Sequence, residues 1–311
     1  MLNYILTRLI SAALVILGVS CLVFLLIHLV PGDPIELMLG ESARPADREA
    51  LRHALGLDLP VLTQLNNYLS GLVQFDFGTS IHTKQSISEL IFQRIPASAQ
   101  LALSSLLIAI LIAFPLGIIA AINKGTIWDQ MAMGFSLFGV SIPNFWMGPL
   151  LIMIFSLWLG WFPVSGKEGV SSIVLPAITL GTAMAAILAR MIRSTLLEVL
   201  HEDYIRTAIA KGLSRRQVIL NHALRNALLP IITLIGLQLG TLLGGAVITE
   251  KIFSWPGLGQ LTIESIQSRD YPVVQACVLF ISLSYVMVNV ITDIVYAAID
   301  PRVRLSDNNS A

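Results

Sequence analysis

The sequence predicts an all-α integral membrane protein with six transmembrane helices and a small helical cap outside the membrane after the first of them. Three observations carry that class. Of 311 residues, 55% are hydrophobic and 12% charged, with mean hydropathy +0.79, where an average soluble domain is about 25% charged. Six apolar runs are long enough to cross a bilayer. Between the first two lies a 67-residue connection, Pro31 to Ala97, with helix signals of its own. The formal net charge is zero, which excludes a global pull towards nucleic acid, so charge must act locally. Cys21 and Cys277 both sit inside apolar runs, so neither a disulfide framework nor a Cys/His metal site is expected.

The first run, Leu9 to Val30, follows Arg8 and has 22 residues, about 33 Å of helix against a hydrocarbon core of about 30 Å. It ends in "VPGDP" and not in a small-residue cleavage site, so it is a span and not a signal peptide. In the connection, "RPADREALRHALGL" predicts a helix entered near Pro45 and stopped at Gly56, and "DLPVLTQLNNYLSGL" a second one stopped at Gly71. The other spans are predicted at Ser98–Ile122, Met131–Gly160, Ile173–Leu197, Leu228–Thr249 and Val273–Ala298. Pro115, Pro143, Pro149 and Pro176 inside them mark kinks. The chain accordingly divides into a cytoplasmic amino terminus with the first span (1–30), a periplasmic cap (31–97), a five-span core with cytoplasmic helices at 199–227 (98–298), and a cytoplasmic tail (299–311).

Orientation follows from basic residues in short flanks, which are retained in the cytoplasm. One set of flanks carries eleven: Arg8, Lys124, Arg190, Arg193, Arg206, Lys211, Arg215, Arg216, Arg225, Arg302 and Arg304. The opposite short loops carry three, Lys167, Lys251 and Arg269. Both termini are therefore expected in the cytoplasm. Trp128 at one span end, with Trp158, Trp161 and Phe162 at another, suits interfacial aromatic belts.

The segment "HEDYIRTAIAKGLSRRQVILNHALRNALLP", His201 to Pro230, is the basic anomaly in this apolar chain. Ile205, Ala208, Ile209, Gly212 and Leu213 fall on one helical face. Gly212 suits a left-handed C-cap, and Ser214 with Gln217 forms a capping box, so the prediction is helix, tight bend, helix. Pro230 is expected to kink the entry to the fifth span. The small residues Ala208 and Gly212 would let another backbone approach, making the bend a knob for a partner's groove. A helix lying on anionic lipid and a DNA-reading helix pair are the competing readings; spans tethering both ends disfavour the latter.

Catalytic signatures are missing. No G-x-x-x-x-G-K-[ST] loop occurs, so the chain is not expected to hydrolyse ATP. His201-Glu202 lacks the second histidine of a zinc protease, because position 205 is Ile205, and "GVSIP" lacks the closing glycine of a nucleophile elbow. In the fifth span Gly236, Gly240 and Gly244 are spaced for close helix packing or for leaving room along a path. Gln238 and Thr241 there, and Asn289 and Asp293 in the sixth span, are polar at membrane depth. An aspartate at mid-membrane costs about 2.5–3.5 kcal/mol to insert, so Asp293 should be paired, near the cytoplasmic boundary or facing water. "EKIFSWPGLGQL" predicts a turn-rich apolar loop on the outer side, which Trp255 could seat at the membrane interface.

The segment "YIRTAIAKGLSRRQVILNHALRNALLP" resembles the cytoplasmic coupling motif of permease subunits in binding-protein-dependent ABC importers, in the branch for dipeptides, oligopeptides, glutathione and nickel complexes. The motif positions here are Arg206, Thr207, Ala208, Gly212, Leu229 and Pro230. The glutamate and first alanine of the general motif are absent. The resemblance extends to "PGDP", "LGLDLP", "FDFGTS", "SIPNFWMG", "EKIFSWPGLGQL" and "RDYPVVQA", with Ser86, Ile87 and Ser98 as mild departures. It implies the type I ABC importer permease fold in a bacterial inner membrane, a second similar permease, two ATP-binding subunits that hold ATP and Mg, and a periplasmic solute-binding protein. It implies docking of the ATPase on Tyr204, Ala208 and Gly212, with Thr207 in the motif and Arg206 and Arg215 as charged rim. The candidate path or gate residues are Gln238, Gly240, Thr241, Gly244, Phe253 and Trp255. No cofactor, metal or nucleic acid is expected on this chain itself; membrane lipid is. A nickel or other metal chelate is the alternative cargo. A stand-alone secondary transporter or channel, which predicts inverted repeats and paired ionisable groups at the midplane, is the alternative class.

Overall fold

The structure, a computed structural model, describes residues 2–29, 34–39, 44–54 and 56–299. The segment 300–311, nearly all of the expected tail, lies outside the described residues, as do Arg302 and Arg304. Among the described residues there is no strand, only an isolated bridge between Thr79 and Ser86. Long apolar helices are α1 (Leu2–Leu29), α5 (Ile87–Ile122), α8 (Val174–Val199), α11 (Leu224–Gly245) and α14 (Tyr271–Ile299). The shorter α2 (Pro34–Leu39), α3 (Pro45–Ala54) and α4 (Val61–Val73) form the cap. The rest are α6 (Ile127–Ser141), α7 (Asn144–Leu151), α9 (Asp203–Ala210), α10 (Arg215–Gln217), α12 (Val247–Ile252) and α13 (Leu258–Gln267).

The third span is not one straight helix. It is α6 and α7 meeting at a bend of 100°. Pro143 is the cause: it pushes Ile142 to φ −91°, ψ 116°, out of the helical region, and itself opens the next helix. α7 then widens into a π-helix at Ile152–Trp158, just after the internal Pro149.

Contacts between helices fix the direction of each crossing, and those between α5 and α8 are parallel. Gly181 of α8 lies against Ser105 and Ile108 of α5, and Gly117 of α5 against Ile192 and Ala189 of α8. A Cβ on Gly117 would approach Ile192 to 2.7 Å, so only glycine allows the two backbones this close. Small buried residues along α5, namely Ala102, Ser105, Ala109, Ala113 and Ala120, continue that seam. α6 runs antiparallel to α8, pairing Asp129 with Arg193 and Gly139 with Thr182 and Ala186. α7 carries on to Ile252 and Phe253 through Gly148, so the bent pair makes one crossing. α11 and α14 are antiparallel through Gly236 against Thr292 and Gly240 against Tyr285. α1 lies along α14, with Arg8 Nε 3.2 Å from Asp293 Oδ2 and Gln275 Nε2 donating to the Val23 carbonyl at 3.0 Å. Asp293 thus has its partner, and the Leu2 end of α1 and the Ile299 end of α14 share the face that holds Ile122, Val199 and α9.

At the opposite face the cap differs from its sequence reading in two ways. The second span begins eleven residues earlier, at Ile87, because Ile87 and Ile91 bury against Leu258, Leu261, Val273 and Cys277 and so extend the helix outwards. The second cap helix passes through Gly71 to Val73. Buried Ile35 nucleates the cap against Leu39, Leu51, Leu57, Ile81 and Tyr271. Asp270 ties it to the head of α14, accepting from Ser80 Oγ at 2.5 Å and from the Ile81 N–H at 3.3 Å.

Candidate functional site: the basic bend and the clasp opposite it

At the bend, α9 ends in a Schellman motif: the Gly212 N–H donates to the Ile209 carbonyl at 2.9 Å and the Leu213 N–H to Ala208 at 3.4 Å. Gly212 has φ +78° and open space where a Cβ would stand. The turn therefore needs glycine for its backbone, not for packing. Ser214 then caps α10 reciprocally with Gln217, whose Oε1 accepts from the Ser214 N–H at 3.1 Å. α10 runs through a π-helix at Val218–Ala223 into α11, and Pro230 lies inside α11.

The face expected to meet a partner is turned the other way. Ala208 is only 6% exposed and Ile205 is buried. Both pack inwards in the cluster that includes Leu196, Val218 and Ile219, so the small side chain at 208 seats α9 on its own bundle. The outward surface consists of Tyr204 (40% exposed), Arg206, Thr207, Ile209, Lys211 and Gly212. Tyr204 Oη accepts from Asn226 Nδ2 at 2.8 Å, bracing α9 against α11. Arg206 makes an exposed pair with Asp203 at 3.4 Å, and Thr207 Oγ1 donates to the Asp203 carbonyl at 3.0 Å. Arg215, expected on the charged rim, donates from Nη2 to the Ile122 carbonyl at 3.2 Å, capping the carboxyl end of α5. Behind α9 a cavity of about 330 Å³ is lined by Ile122, Leu200, Ile205, Ile209, Leu213 and Val218.

Sequence reasoning missed the brace beneath this bend. Arg193 grips Asp129 with two bonds, Nε to Oδ1 at 2.6 Å and Nη2 to Oδ2 at 2.8 Å, and Asp129 also accepts from the Gly125 N–H at 2.9 Å. A bidentate pair of this kind locks α6 to α8 in register. Asp129 in the first turn of a helix was the available signal; its partner 64 residues on was not.

On the opposite face Glu250 forms a clasp. Its carboxylate, 1% exposed, accepts from Ser98 Oγ at 2.6 Å, the Gly259 N–H at 2.8 Å and the Gln260 N–H at 3.1 Å. Ser98 Oγ accepts in turn from the Leu258 N–H at 2.8 Å. One side chain thus ties α12, the first turn of α13 and α5 together. Burial pushes the Glu250 carboxyl up from the usual glutamate range, against the Ser98 hydroxyl, the two N–H groups and the charge of Arg94, which pull it down. A Cβ on Gly257 would collide with this carboxylate, and one on Gly259 would come 2.5 Å from Val247 Cα, which accounts for both glycines. Trp255 is 0% exposed and donates from Nε1 to the Ala97 carbonyl at 2.8 Å. It is an internal anchor, which corrects the reading of a loop seated at the membrane interface. Phe253 is buried against Gly148, and its carbonyl accepts from the Gly166 N–H at 2.9 Å.

Gly240 packs 3.0 Å (as Cβ) from Tyr285, so it serves the α11–α14 contact. Gly244 lies in the last turn of α11, and its surroundings are outside the described residues. Gln238 points to the other side of α11, towards the row of Ala227, Ile231 and Leu242. It is 7% exposed, and neither polar atom of its amide has a partner among the described residues. Thr241 Oγ1 bonds the Gln238 carbonyl at 2.8 Å.

A bundle of membrane-length helices thus carries an exposed basic bend at one end and a buried clasp at the other. The chain belongs to the family described as binding-protein-dependent transport system inner membrane component, which matches residues 113–305, and its amino-terminal companion matches residues 1–102. It is a multi-pass membrane transport protein. Over 304 residues it is 43% identical to the glutathione transport system permease protein GsiC of Escherichia coli (strain K12), covering 98% of this chain and 99% of that one. Its identity to GsiC of Salmonella typhimurium is 44% over the same length. The fold is shared with the inward-facing MetNI methionine ABC transporter, at TM-score 0.59 and 19% identity over 68% of this chain and 96% of that one. An amino acid ABC transporter superposes with TM-score 0.52 at 14% identity, over 69% and 94%.

Proposed function

We propose that this chain is the permease half of an ATP-driven importer of short peptides, glutathione-sized or similar, with the α9 face in the cytoplasm. Full-length likeness to glutathione permeases is the observation that carries the substrate class, and the eleven-to-three basic bias supports the orientation. In this reading a second permease completes the path, and two ATP-binding subunits holding ATP and Mg dock on the exposed side of the bend at Tyr204, Arg206, Thr207 and Gly212. Arg215 and Ala208 act from behind, the one holding the end of α5 and the other letting α9 sit low. A solute-binding protein delivers peptide to the clasp side, where Phe253 and Trp255 form a fixed scaffold. Gln238 and Thr241 are the polar groups that would meet substrate or water when α11 shifts. Closure of the ATPases pushes α9, and the Arg193–Asp129 brace passes that push to α6 and the bent third span.

Reconstitution tests this. The purified permease pair, ATPases and binding protein in proteoliposomes should accumulate a labelled di- or tripeptide or glutathione only with ATP, and Gly212→Glu should leave insertion intact while abolishing uptake. Uptake of a nickel chelate with no uptake of peptide would reassign the cargo; normal uptake by Gly212→Glu would remove the bend as the docking point.

A further inference from the structure

The outer turns of α5 present one row to the interior. Ile87, Ile91, Ser98 and Leu101 are buried, and Arg94, three residues after Ile91 and four before Ser98, belongs to the same row. Arg94 is half-buried and, among the described residues, makes no hydrogen bond or ion pair. The neighbouring acids are already engaged. Glu250 is filled by Ser98, Gly259 and Gln260, Glu89 accepts from Gln93, Glu264 from Gln260, and Asp270 from Ser80 and Ile81. A second cation lies on the Trp255 side of this corner: Lys167 Nζ sits 5.4 Å over the Trp255 ring with no carboxylate partner. Trp255 itself bonds the carbonyl of Ala97, three residues beyond Arg94.

The Arg94 charge acts on the buried Glu250 carboxylate, but among the described residues no carboxylate stands within ion-pair distance of it, so the half-buried guanidinium keeps its N–H groups free for a further acceptor. Its planar fork matches a carboxylate with two parallel bonds. Height agrees: counting back from Ile122, the roughly 20 residues needed for the hydrocarbon core end near Leu103, so Arg94 stands roughly 13 Å beyond the outer boundary.

We propose that Arg94, with Lys167 as a second point charge, is a carboxylate-binding site at the outer mouth that receives the C-terminal carboxylate of an incoming peptide. This rests on the peptide-importer reading. Arg94 orients the substrate carboxyl-end first against the clasp, and peptides whose terminus is amidated lose that contact.

The test is uptake by the reconstituted importer of a labelled tripeptide and of the same tripeptide as its C-terminal amide. In the wild type the acid is preferred. Arg94→Gln raises KM for the acid at least about tenfold with kcat little changed, and the acid-over-amide preference shrinks by the same factor, while Arg94→Lys, which keeps the charge but not the fork, restores only part of it. An unchanged preference in Arg94→Gln overturns the proposal while leaving the importer reading intact; a wild type that takes up neither form removes both. A second readout needs no variant: phenylglyoxal labelling of Arg94 in the purified complex, followed by mass spectrometry, should be suppressed by the acid and not by the amide. Equal suppression by both, or suppression by the substrate-free binding protein alone, overturns it, the latter assigning Arg94 to a carboxylate of that protein.

Discussion

Truncating Glu250 to alanine should open the outer clasp, whereas replacing it with glutamine should not. In Glu250→Ala three donors lose their acceptor: Ser98 Oγ, the Gly259 N–H and the Gln260 N–H. Each such loss in a buried site costs about 1–2 kcal/mol, so the clasp should weaken by about 3–6 kcal/mol. Glutamine keeps a carbonyl oxygen for the two N–H groups and can turn its amide towards Ser98 Oγ, so its cost should stay below about 1.5 kcal/mol. Hydrogen exchange of the amides at 255–261 in the purified complex reads this directly. Since about 1.4 kcal/mol is tenfold, Glu250→Ala should exchange about two to four orders of magnitude faster, and Glu250→Gln within about tenfold of wild type. The sign of the pH effect follows from the raised carboxyl: a folded-state pKa above the unfolded value of about 4.3 adds stability that is full below that value and is lost as pH rises through the folded one. The wild-type clasp should therefore tighten on acidification from neutral pH, and Glu250→Gln should show no such trend. Equal exchange in alanine and wild type, or a glutamine variant as open as alanine, would refute the account of the clasp.

Other expectations concern the bundle and the bend. Asp129→Ala leaves Arg193 half-buried and unpaired, and should lower stability by about 2–4 kcal/mol in thermal unfolding, with Asp129→Leu/Arg193→Leu recovering more than half. If the single and double variants melt together, the pair is not a brace. Gly236→Ala would drive a Cβ into Thr292 and cost about 1–3 kcal/mol; adding Thr292→Gly, which removes the Cβ that would stand 2.7 Å away as well as the atoms beyond it, should relieve the clash, and failure to do so would put the close approach of α11 and α14 in doubt. Gly212→Ala, strained at φ +78°, should cost only about 1–2 kcal/mol and keep ATP-driven uptake, because nothing crowds its Cβ; loss of uptake with intact assembly would mean that the partner needs the bare backbone there.

Hydropathy and basic-residue bias made the membrane helices legible, because a bilayer demands long apolar runs whatever packs against them. Gly212 and the Ser214–Gln217 box were legible for a similar reason: they are solved by residues within one turn. The bend at Pro143 was visible as a proline but not as 100°, since its angle depends on α7 finding Ile252 and Phe253. The inward turn of Ala208 was misread because a helix face rich in small residues suits its own bundle as well as a partner. Glu250, Asp129 and Arg94 were passed over because each gains meaning from residues about 60–160 positions away, as in Ser98 for Glu250 and Arg193 for Asp129. No period in the sequence links such pairs.

The most direct test of the transport account is affinity purification of the tagged full-length chain from its own membrane in mild detergent, with mass spectrometry of its companions. The account predicts a second permease and ATP-binding subunits in the eluate, lost when Gly212 is changed to glutamate for the ATP-binding subunits alone. A chain that elutes by itself and moves substrate in liposomes without ATP would contradict it.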